Sequence, residues 1–360
     1  MEYKKLGDIA TYINGYPFKP EDRGECGLPI IRIQDLTGNT YDLGYYDGKY
    51  PERIEINNGD ILISWSASLG VYVWNRGKAL LNQHIFKVVF DKVEINKRYF
   101  VYAVQFKLKE MEAKTHGATM KHIVKKDFDS TLIPYPSLKE QSRIAEIIDS
   151  IAKSINMRQK QLQKLDELVK ARFVELFGAY PHNPMGWKTG TIRDVVTDVR
   201  YGSSRPAVDG GKYPYLRMNN ITYGGELDLS DVKRIDVPEN ELEKCTVRRG
   251  DVLFNRTNSK ELVGKTCVYD RDEMMVLAGF VIRVRVNDVV LPEFLSAFLN
   301  TDFSKRTLLG MCKAAIGQAN INAQEMQNIG IYIPPIELQR EFVQFKNQTD
   351  KSKLAIQQSL

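Results

Sequence analysis

The hydrophobic and polar positions of this chain form a pattern that occurs twice, in the same order. Short apolar runs typical of strands alternate with glycine-containing turns in both halves. Residues 28–37 correspond to residues 213–222, and residues 59–63 correspond to residues 250–254. The offset between matched positions stays between 185 and 198 residues along the chain. The pattern therefore predicts a domain that is present twice, which suggests two similar binding events on one partner.

Within each half the pattern predicts strands and turns with some helix. Buried strands are indicated at residues 61–64, 84–90, 252–254 and 280–286. An amphipathic helix is predicted after the last strand of each half, at residues 97–109 and 292–309. We therefore expect an α+β fold with two similar globular domains, at residues 1–136 and 181–335.

Between the two domains the pattern changes to one unbroken helix over residues 138–177. Pro134 and Pro136 precede it and Gly178 follows it. Its apolar residues recur at alternating gaps of four and three, with Arg158 and Arg172 at the two remaining seam positions, which predicts a coiled-coil seam. That seam consists of Ile144, Ile148, Ile151, Ile155, Leu162, Leu165, Val169 and Leu176. At about 1.5 Å per residue such a helix is a rod of roughly 60 Å, so residues 137–180 are predicted to separate the domains.

A second helix is predicted at residues 336–360, because residues 331–339 introduce it as residues 133–141 introduce the first. Its seam is weaker and consists of Phe342, Phe345 and Ile356. A pseudo-twofold arrangement would pair the two helices antiparallel and place the domains at opposite ends. The shorter second helix would cover only part of the first. Either the chain is truncated, or the free seam binds another chain.

Composition changes this picture little. The chain has 360 residues, of which 43% are hydrophobic and 27% charged, and its net charge of +6 is only mildly basic. No apolar run approaches the roughly 18 residues of a membrane helix, and the N-terminus lacks a signal-peptide core. We therefore expect a cytoplasmic protein without a membrane partner. The four cysteines are far apart, which indicates neither a disulfide framework nor a zinc site.

Catalytic motifs are not apparent in the sequence. Residues 264–266 read Gly-Lys-Thr but lack the upstream glycine of a phosphate-binding loop. The four histidines are isolated from one another. Asp60 and Asp251 recur at matched places before apolar strands, where capping a turn is the better interpretation. We therefore predict no catalytic residue and no metal site in this chain.

Polar, aromatic and basic residues are instead concentrated on loops at matched places of the two halves. Arginine, asparagine, glutamine, serine and threonine are side chains that read base edges, and lysines suit phosphates. The candidates for DNA binding in the first half are Asn14, Tyr16, Lys19, Arg32, Gln34, Trp65, Ser66, Ser68, Lys114, His116 and Lys121. Those in the second half are Arg200, Tyr201, Ser203, Ser204, Arg205, Arg217, Asn219, Asn255, Arg256, Asn258, Lys260, Lys313, Gln318 and Asn320.

Any one of these residues is also common in ordinary surface loops. The stronger signal is that the loops occupy matched places but differ in content. Residues 65–68 read Trp-Ser-Ala-Ser, whereas residues 255–258 read Asn-Arg-Thr-Asn. Two loops with such different side chains could not recognise the same target.

The chain resembles the specificity subunit of type I restriction-modification systems. The most specific parts of the resemblance are residues 132–141 with the helix to Gly178, and their counterpart at residues 332–340. In that family each globular unit is a target recognition domain that reads one half of a split DNA sequence, and the paired helices fix the gap. The resemblance implies the same for this chain.

The resemblance also implies partners and cofactors. Such subunits have no catalysis of their own and bind two copies of a methyltransferase (M) subunit, which methylates adenine N6 with S-adenosylmethionine. A restriction (R) subunit that uses ATP and magnesium can join the complex, and the sequence leaves open whether it does here. The alternative reading is a coiled-coil scaffold whose duplicated domains bind proteins. Steep salt dependence of duplex binding would favour DNA over that alternative.

Overall fold

A computed structural model of the chain describes residues 2–40, 42–114, 123–259, 262–311 and 319–360, with only the backbone of residues 113 and 114. The chain divides into two compact units, Met1–Ile155 (unit 1) and Asn156–Leu360 (unit 2). The boundary between the units falls within the predicted central helix. Within the described residues, no helix is both long and apolar enough to cross a membrane.

Unit 1 consists of short strands with helices at the start and end of the domain. Its strands are β1 (Tyr3–Lys5), β2 (Thr11–Asn14), β3 (Leu28–Ile31), β4 (Tyr45–Tyr46), β5 (Glu55–Ile56), β6 (Ile61–Ser64), β7 (Gly70–Val73), β8 (Ala79–Leu81), β9 (Ile85–Val89) and β10 (Leu132–Pro134). Its helices are α1 (Leu6–Ile9), α2 (Ile33–Thr37), α3 (Lys97–Lys114) and α4 (Lys125–Ser130), and α5 (Leu138–Phe177) begins in this unit.

Two four-stranded sheets form the centre of unit 1, with strand orders β2-β9-β6-β7 and β4-β3-β8-β5. Strands β3 and β8 are parallel, and the other pairs in these sheets are antiparallel. All four residues of β6 are buried, as expected for a central strand that reads as a continuous apolar run. Strand β1 pairs with β10, so the start of the unit is joined to the segment that precedes α5.

Unit 2 repeats the order of the strands after α5 and has, compared with the described residues of unit 1, two further short strands and one further helix. Its strands are β11 (Lys188–Thr191), β12 (Val196–Tyr201), β13 (Tyr213–Leu216), β14 (Lys233–Ile235), β15 (Thr246–Val247), β16 (Val252–Asn255), β17 (Thr257–Asn258), β18 (Thr266–Val268), β19 (Met275–Leu277), β20 (Val281–Val286), β21 (Ala319–Asn320) and β22 (Gly330–Ile333). Its helices are α6 (Glu239–Cys245), α7 (Pro292–Leu299), α8 (Asp302–Met311), α9 (Ala323–Gln327) and α10 (Ile336–Gln358).

The sheets of unit 2 have the same topology as those of unit 1. The strand orders are β12-β20-β16-β18 and β14-β13-β19-β15, and the parallel pair is again in the second sheet, between β13 and β19. Strand β11 pairs with β22, as β1 pairs with β10. The predicted α+β fold with an internal repeat is confirmed.

The two Gly-Asp turns have the capping role that the sequence predicts. The carboxylate of Asp60 accepts a hydrogen bond from the backbone N–H of Asn57 at 2.8 Å, and that of Asp251 accepts one from Arg248 at 2.9 Å. The preceding glycines have left-handed φ values of 93° at position 59 and 89° at position 250. Glycine adopts this conformation without a steric cost, which explains the recurrence of the motif.

The helix predicted at residues 292–309 is two helices, α7 and α8, and this part of the sequence prediction is wrong. The chain turns at Asn300 and Thr301, where the Asn300 amide donates to the backbone oxygen of Thr266 at 2.7 Å. The Thr301 hydroxyl accepts from the backbone N–H of Ser304 at 3.2 Å and so caps α8. These local side-chain bonds compete with a continuous helix. In unit 1, α3 starts at residue 97 as predicted.

Helix α5 spans the predicted length, but its buried residues differ from the predicted seam. Phe173 and Phe177 are buried in the core of unit 2, and Gln141 and Ala145 are buried in unit 1. The predicted seam residues Leu162, Leu165, Val169 and Leu176 are half-buried, as are Ile144 and Ile148. Ile151 and Ile155 are 53% and 40% exposed, so these two positions are not buried within the described chain, and their place in a seam with another chain stays a prediction. Each end of the helix packs on a domain core through two buried residues that are four positions apart. These residues form a different stripe along the helix from that of a coiled-coil repeat.

Within unit 2, α10 pairs antiparallel with the last turns of α5. The ring of Phe342 lies 5.3 Å from the ring of Phe173, and Arg172 forms an ion pair with Glu341 at 2.5 Å. Further along α10, Lys353 forms an ion pair with an aspartate that lies earlier in α5. Of the seam predicted for α10, Phe342 is buried and Phe345 and Ile356 are half-buried. The predicted antiparallel pairing is therefore confirmed for this part of the helices.

Candidate functional site

The loop after strand β2 in unit 1 crosses the end of the second sheet, beside the loop after β6. We call this place the first crossing and define it by Asn14, Tyr16, Trp65 and His84. Four backbone hydrogen bonds fix it: Gly15 N to Ile85 O (3.1 Å), Tyr16 N to Leu81 O (2.8 Å), Trp65 N to His84 O (3.2 Å) and Ile123 N to Trp65 O (2.9 Å).

The loop after β12 in unit 2 makes the same crossing with the same bonds. They are Gly202 N to Val281 O (3.2 Å), Ser203 N to Leu277 O (2.7 Å), Arg256 N to Phe280 O (3.0 Å) and Ile321 N to Arg256 O (2.9 Å). We call this the second crossing and define it by Tyr201, Ser203, Arg256 and Phe280. The matched bonds make Trp65 equivalent to Arg256, and His84 equivalent to Phe280.

A glycine is required at each crossing because two backbones approach closely. A Cβ atom at Gly15 would lie 2.0 Å from the backbone oxygen of Asn82, and one at Gly202 would lie 2.3 Å from that of Leu277. Real Cβ atoms do not approach oxygen this closely. The glycines at these two positions therefore belong to the backbone arrangement that the two crossings share, which we call the frame.

The first crossing presents mainly aromatic side chains. The ring of Trp65 lies 5.0 Å from the ring of His84 and stacks on the ring of Phe86 at 5.5 Å. Tyr16 is 36% exposed. His84 has a left-handed φ of 73°, a conformation that is uncommon outside glycine but that histidine, like asparagine and aspartate, adopts more often than other residues. Its Nδ1 is buried and has no hydrogen-bond partner among the described residues.

The second crossing presents a cation and exposed aromatic rings. The guanidinium of Arg256 lies over the ring of Tyr201, 4.9 Å from its centroid, and Phe280 is 51% exposed. The Tyr201 hydroxyl accepts from the backbone N–H of Ala323 at 2.9 Å, which fixes the ring. The Nε of Arg256 is buried without a hydrogen-bond partner in the part of the chain that the structure describes. Strand β17 pairs with β21, which brings Asn258 and Asn320 into adjacent strands next to Arg256.

Three of the predicted contact residues lie inside the domains. Asn255 is fully buried, and Ser66 and Ser203 are 6% and 8% exposed. Their side chains belong to the frame of the crossings, so the prediction that they contact DNA directly does not agree with their burial. A sequence pattern does not separate the last buried residue of a strand from the first exposed residue of the loop.

Four predicted arginines form ion pairs within their own domains. Arg32 pairs with Asp35 at 3.5 Å, Arg200 with Asp198 at 2.8 Å, Arg205 with Glu241 at 2.8 Å and Arg217 with Asp231 at 2.8 Å. The hydrogen bond from Arg205 holds the pKa of Glu241 below its usual range. Burial opposes ionisation of Asp198, but hydrogen bonds from Arg200 and Arg283 lower the pKa of that carboxyl. Arg256 differs from these four because its guanidinium faces a ring.

The remaining predicted residues are dispersed. Gln34 lies in α2 and Asn219 in a short 3-10 turn, and these two elements follow the matched strands β3 and β13. The exposed residues are Asn14, Lys19, Ser68, Ser204, Asn219 and Asn320. Outside the described residues are His116, Lys121, Lys260, Lys313, Gln318 and the side chain of Lys114.

Sequence reasoning missed two residues of the crossings, His84 and Phe280. Both follow a buried strand by three positions, at matched places, and the sequence repeat could have aligned them. The sequence does not show that the backbone oxygens of these two residues accept hydrogen bonds from the backbone N–H groups of Trp65 and Arg256. Each of those bonds joins residues about 20 positions apart, which a local pattern does not reveal.

A cavity of about 530 Å³ lies elsewhere in unit 2, beside α5 and α10, and no residue of the second crossing lines it. Phe173, Phe298 and Tyr332 form part of its apolar wall. Burial, together with the nearby charges of Lys265 and Lys170, lowers the pKa of the lining Lys305 to about 8. Among the described residues, no group of histidine, cysteine, aspartate and glutamate side chains could hold a metal ion.

Comparison with known proteins gives consistent results. A family model described as "Type I restriction modification DNA specificity domain" matches residues 1–167 and 184–360. The chain is 25% identical to the type I restriction enzyme EcoBI specificity subunit of Escherichia coli, over 94% of this chain and 77% of that protein. It is also 25% identical to the EcoKI specificity subunit of Escherichia coli strain K12, over 94% of this chain and 79% of that protein.

Solved structures share the fold. A chain from a structural study of complex assembly and conformational transition of the type I restriction-modification system superposes with a TM-score of 0.62 at 16% identity, over 99% of this chain and 92% of that chain. The type I restriction-modification S subunit of M. genitalium superposes with a TM-score of 0.54 at 13% identity, over 99% and 91% of the two chains.

Proposed function

Since the chain belongs to the family of type I restriction-modification DNA specificity subunits, which recognise the DNA sequence for their complex, we propose that its two units read two different half-sites of one duplex. Unit 1 reads one half-site through the first crossing, and unit 2 reads the other through the second crossing. Half-sites on the same groove face lie about one helical turn, or roughly 34 Å, apart.

One observation supports this proposal above the others. The two crossings share their backbone hydrogen bonds and their glycines, but they carry different side chains at equivalent positions. A repeated frame with exchanged side chains suits two readers of different sequences.

The side chains at the crossings fit contacts with bases. Arg256 can donate two hydrogen bonds to guanine O6 and N7, the commonest specific contact of arginine. Trp65 and Tyr16 offer apolar and aromatic surface to thymine methyl groups or to unstacked bases.

Type I specificity subunits act together with modification and restriction subunits. For this chain we propose two methyltransferase subunits as partners, each holding its own S-adenosylmethionine and methylating adenine N6. A restriction subunit would bring ATP and magnesium chemistry. In this proposal the chain contributes recognition and no active site, and it acts in the cytoplasm together with these partners. Family membership does not favour the alternative of a coiled-coil scaffold for proteins.

The test is the methylated motif in cells that express the chain with its partner subunits. The unaltered chain should give one motif that consists of two half-sites separated by a spacer, and each half-site should contain a methylated adenine. Arg256→Ala should relax specificity in one half only, by about 1–3 kcal/mol of discrimination at a base pair. His84→Asn, which tolerates the left-handed backbone, and Trp65→Phe should alter only the other half.

Matched controls are Lys49→Ala in unit 1 and Arg271→Ala in unit 2, two exposed cations outside the crossings. Both should leave the motif unchanged. The proposal fails if no split motif is found, or if substitutions in either crossing weaken both halves equally.

A further inference from the structure

The cavity in unit 2 has the size of a small-molecule site. Its volume of about 530 Å³ falls within the range of roughly 300–1,000 Å³ that is typical of ligand pockets. All of its lining residues belong to unit 2, so one compact part of the chain forms it. The recognition of DNA proposed above does not use this cavity.

Aromatic rings form part of the cavity wall. Phe173 of α5, Phe298 of α7 and Tyr332 of β22 line it, together with Tyr180. The ring of Tyr180 lies 5.6 Å from that of Phe298 and 5.4 Å from that of Tyr332. Packed rings of this kind offer a flat apolar surface on which another aromatic ring can pack.

The loop of residues 223–226 forms another part of the wall, and close contacts fix it in place. A Cβ atom at Gly225, where φ is 84°, would lie only 2.6 Å from the amide nitrogen of Asn300. Glu226 forms an ion pair with Lys353 of α10 at 3.0 Å. The wall is therefore built by contacts to two different helical segments of unit 2.

The carboxylates of the cavity are already paired with lysines. The four that line it are Asp166, Glu226, Asp302 and Asp350. Three of them form ion pairs with Lys353, at 2.5, 3.0 and 3.6 Å. The fourth lies 3.8 Å from Lys170. These pairs leave little negative charge with which the cavity could attract a cationic ligand.

Lys305 of α8 also lines the cavity, but among the described residues it has no carboxylate partner. Its Nζ atom donates to the backbone oxygen of Gly264 at 3.0 Å and lies 5.2 Å from the centroid of the Tyr223 ring. An ammonium group has three N–H donors. Within the described part of the chain, two of them are therefore left for a ligand.

A second lysine adds positive charge beside Lys305. Lys265 follows Gly264 directly and is only 6% exposed, and its Nζ atom donates to the backbone oxygen of Met218 at 2.8 Å. Buried lysines are usually paired with an anion. Burial first, and then the charges of Lys265 and Lys170, lower the pKa of Lys305 to about 8, so at neutral pH it is still mostly a cation. An anion in the cavity would supply the missing negative charge.

We propose that this cavity is a binding site for a small aromatic carboxylate. The carboxylate accepts hydrogen bonds from Lys305, and the ring packs against Phe173 and Phe298. Such a ligand contacts α5, α7 and α8 together. This inference is independent of the proposed function, because it involves neither crossing.

The experiment measures binding of naphthoate to the full chain by isothermal titration calorimetry. Naphthylmethanol is the neutral analogue of similar shape, and naphthylmethylamine is the cationic one. We expect naphthoate to bind at one site per chain. The neutral analogue should bind about 10- to 100-fold more weakly, the factor that a hydrogen bond to a charged group represents. The cationic analogue should bind more weakly still, because its ammonium is repelled by Lys305.

Two variants place the ligand in the cavity. Lys305→Met removes the charge and should weaken binding of naphthoate to the level of the neutral analogue, whose own affinity should not change. Ala297→Phe adds a ring at a residue that lines the cavity and should weaken binding of both. The matched control is Lys170→Met, since this lysine lines the same cavity but is already paired, and it should leave the preference for naphthoate in place.

The three probes test the inference even if a variant does not fold. It is overturned if naphthoate does not bind, if all three probes bind equally, or if Lys305→Met binds naphthoate as the unaltered chain does. It is also overturned if naphthoate binds the free chain but not the chain assembled with its methyltransferase partners, because the cavity would then be a docking site for a protein. No DNA is present in these measurements, so their outcome is separate from that of the proposed function.

Discussion

At the scale of single residues, the crossings depend on the two glycines at their centres. Replacing Gly202 by alanine would place Cβ 2.3 Å from the Leu277 oxygen, so the crossing must shift. Overpacking of this kind typically costs about 1–3 kcal/mol. We expect Gly202→Ala to lower the free energy of unfolding by that amount in urea denaturation of the purified chain.

Gly310 offers a matched control in the same unit. A Cβ at this position of α8 meets nothing within 4 Å, and alanine favours a helix over glycine by about 0.5–1 kcal/mol. Gly310→Ala should therefore be neutral or stabilising. Equal stability of the two variants would contradict the close approach at Gly202.

Single residues also show what the sequence pattern does not predict, namely which candidate side chains are bound within their own domain. Trp65 and Arg256 could be identified because the repeat aligns their loops. Arg32 and Arg217 occupy matched places too, yet their ion pairs with Asp35 and Asp231 hold them in the frame. Whether an arginine pairs within its domain depends on carboxylates that the fold brings close, and a one-dimensional pattern does not contain that distance.

At the scale of elements, the hydrophobic pattern predicts the existence and length of α5 well and its contacts poorly. The helix spans 40 residues, as predicted. Its deepest contacts are made by Phe173 and Phe177, which lie outside the predicted seam. Periodicity identifies an apolar stripe, but the choice between two neighbouring stripes depends on the surface against which each end packs.

The last turns of α10 are held by one lysine, and this gives a prediction for the element. Lys353 lies 2.5 Å from Asp166 of α5 and 3.0 Å from Glu226, with Asp350 at 3.6 Å. Burial disfavours the ammonium, but hydrogen bonds to Asp166 and Glu226 dominate and raise the pKa of Lys353. Lys353→Met would leave three neighbouring carboxylates without their shared cation.

We expect Lys353→Met to cost about 1 kcal/mol, since two of the carboxylates are more than half exposed and solvent screens them. The effect should be local, as faster amide hydrogen exchange in the last three turns of α10. Lys351→Met, an exposed residue of the same helix, is the control and should change nothing. Unaltered exchange in both variants would show that the ion pairs do not hold this end of the helix.

At the scale of the whole molecule, the repeat predicts the fold more fully than it predicts the site. Both units have the same two sheets in the same strand order, because strand identity follows from apolar runs and glycine turns. The placement of the domains at opposite ends of the helices stays a prediction from the sequence. The side chains at the crossings were only partly predictable, since they differ at equivalent positions although the backbone hydrogen bonds repeat.

If both units of one chain bind the same duplex, multivalency should raise the affinity of the complex for that duplex. Once one unit is bound, the second meets its half-site at an effective concentration in the millimolar range, which typically raises the affinity by about 10²- to 10⁴-fold. We therefore expect the assembled complex to bind a duplex with both half-sites that much more tightly than a duplex with either half-site alone. Fluorescence anisotropy at fixed salt concentration measures this ratio, since salt changes the affinity for phosphates independently of sequence.

The control for this ratio is an equimolar mixture of two duplexes that each carry one half-site. The mixture offers the same contacts without the linkage, so it should bind no more tightly than the better single half-site. Arg256→Ala should remove most of the gain for the complete duplex while leaving binding to the unit 1 half-site unchanged. If the complete duplex binds no better than the mixture, the units do not engage one duplex together, and the repeat would then serve two separate binding events.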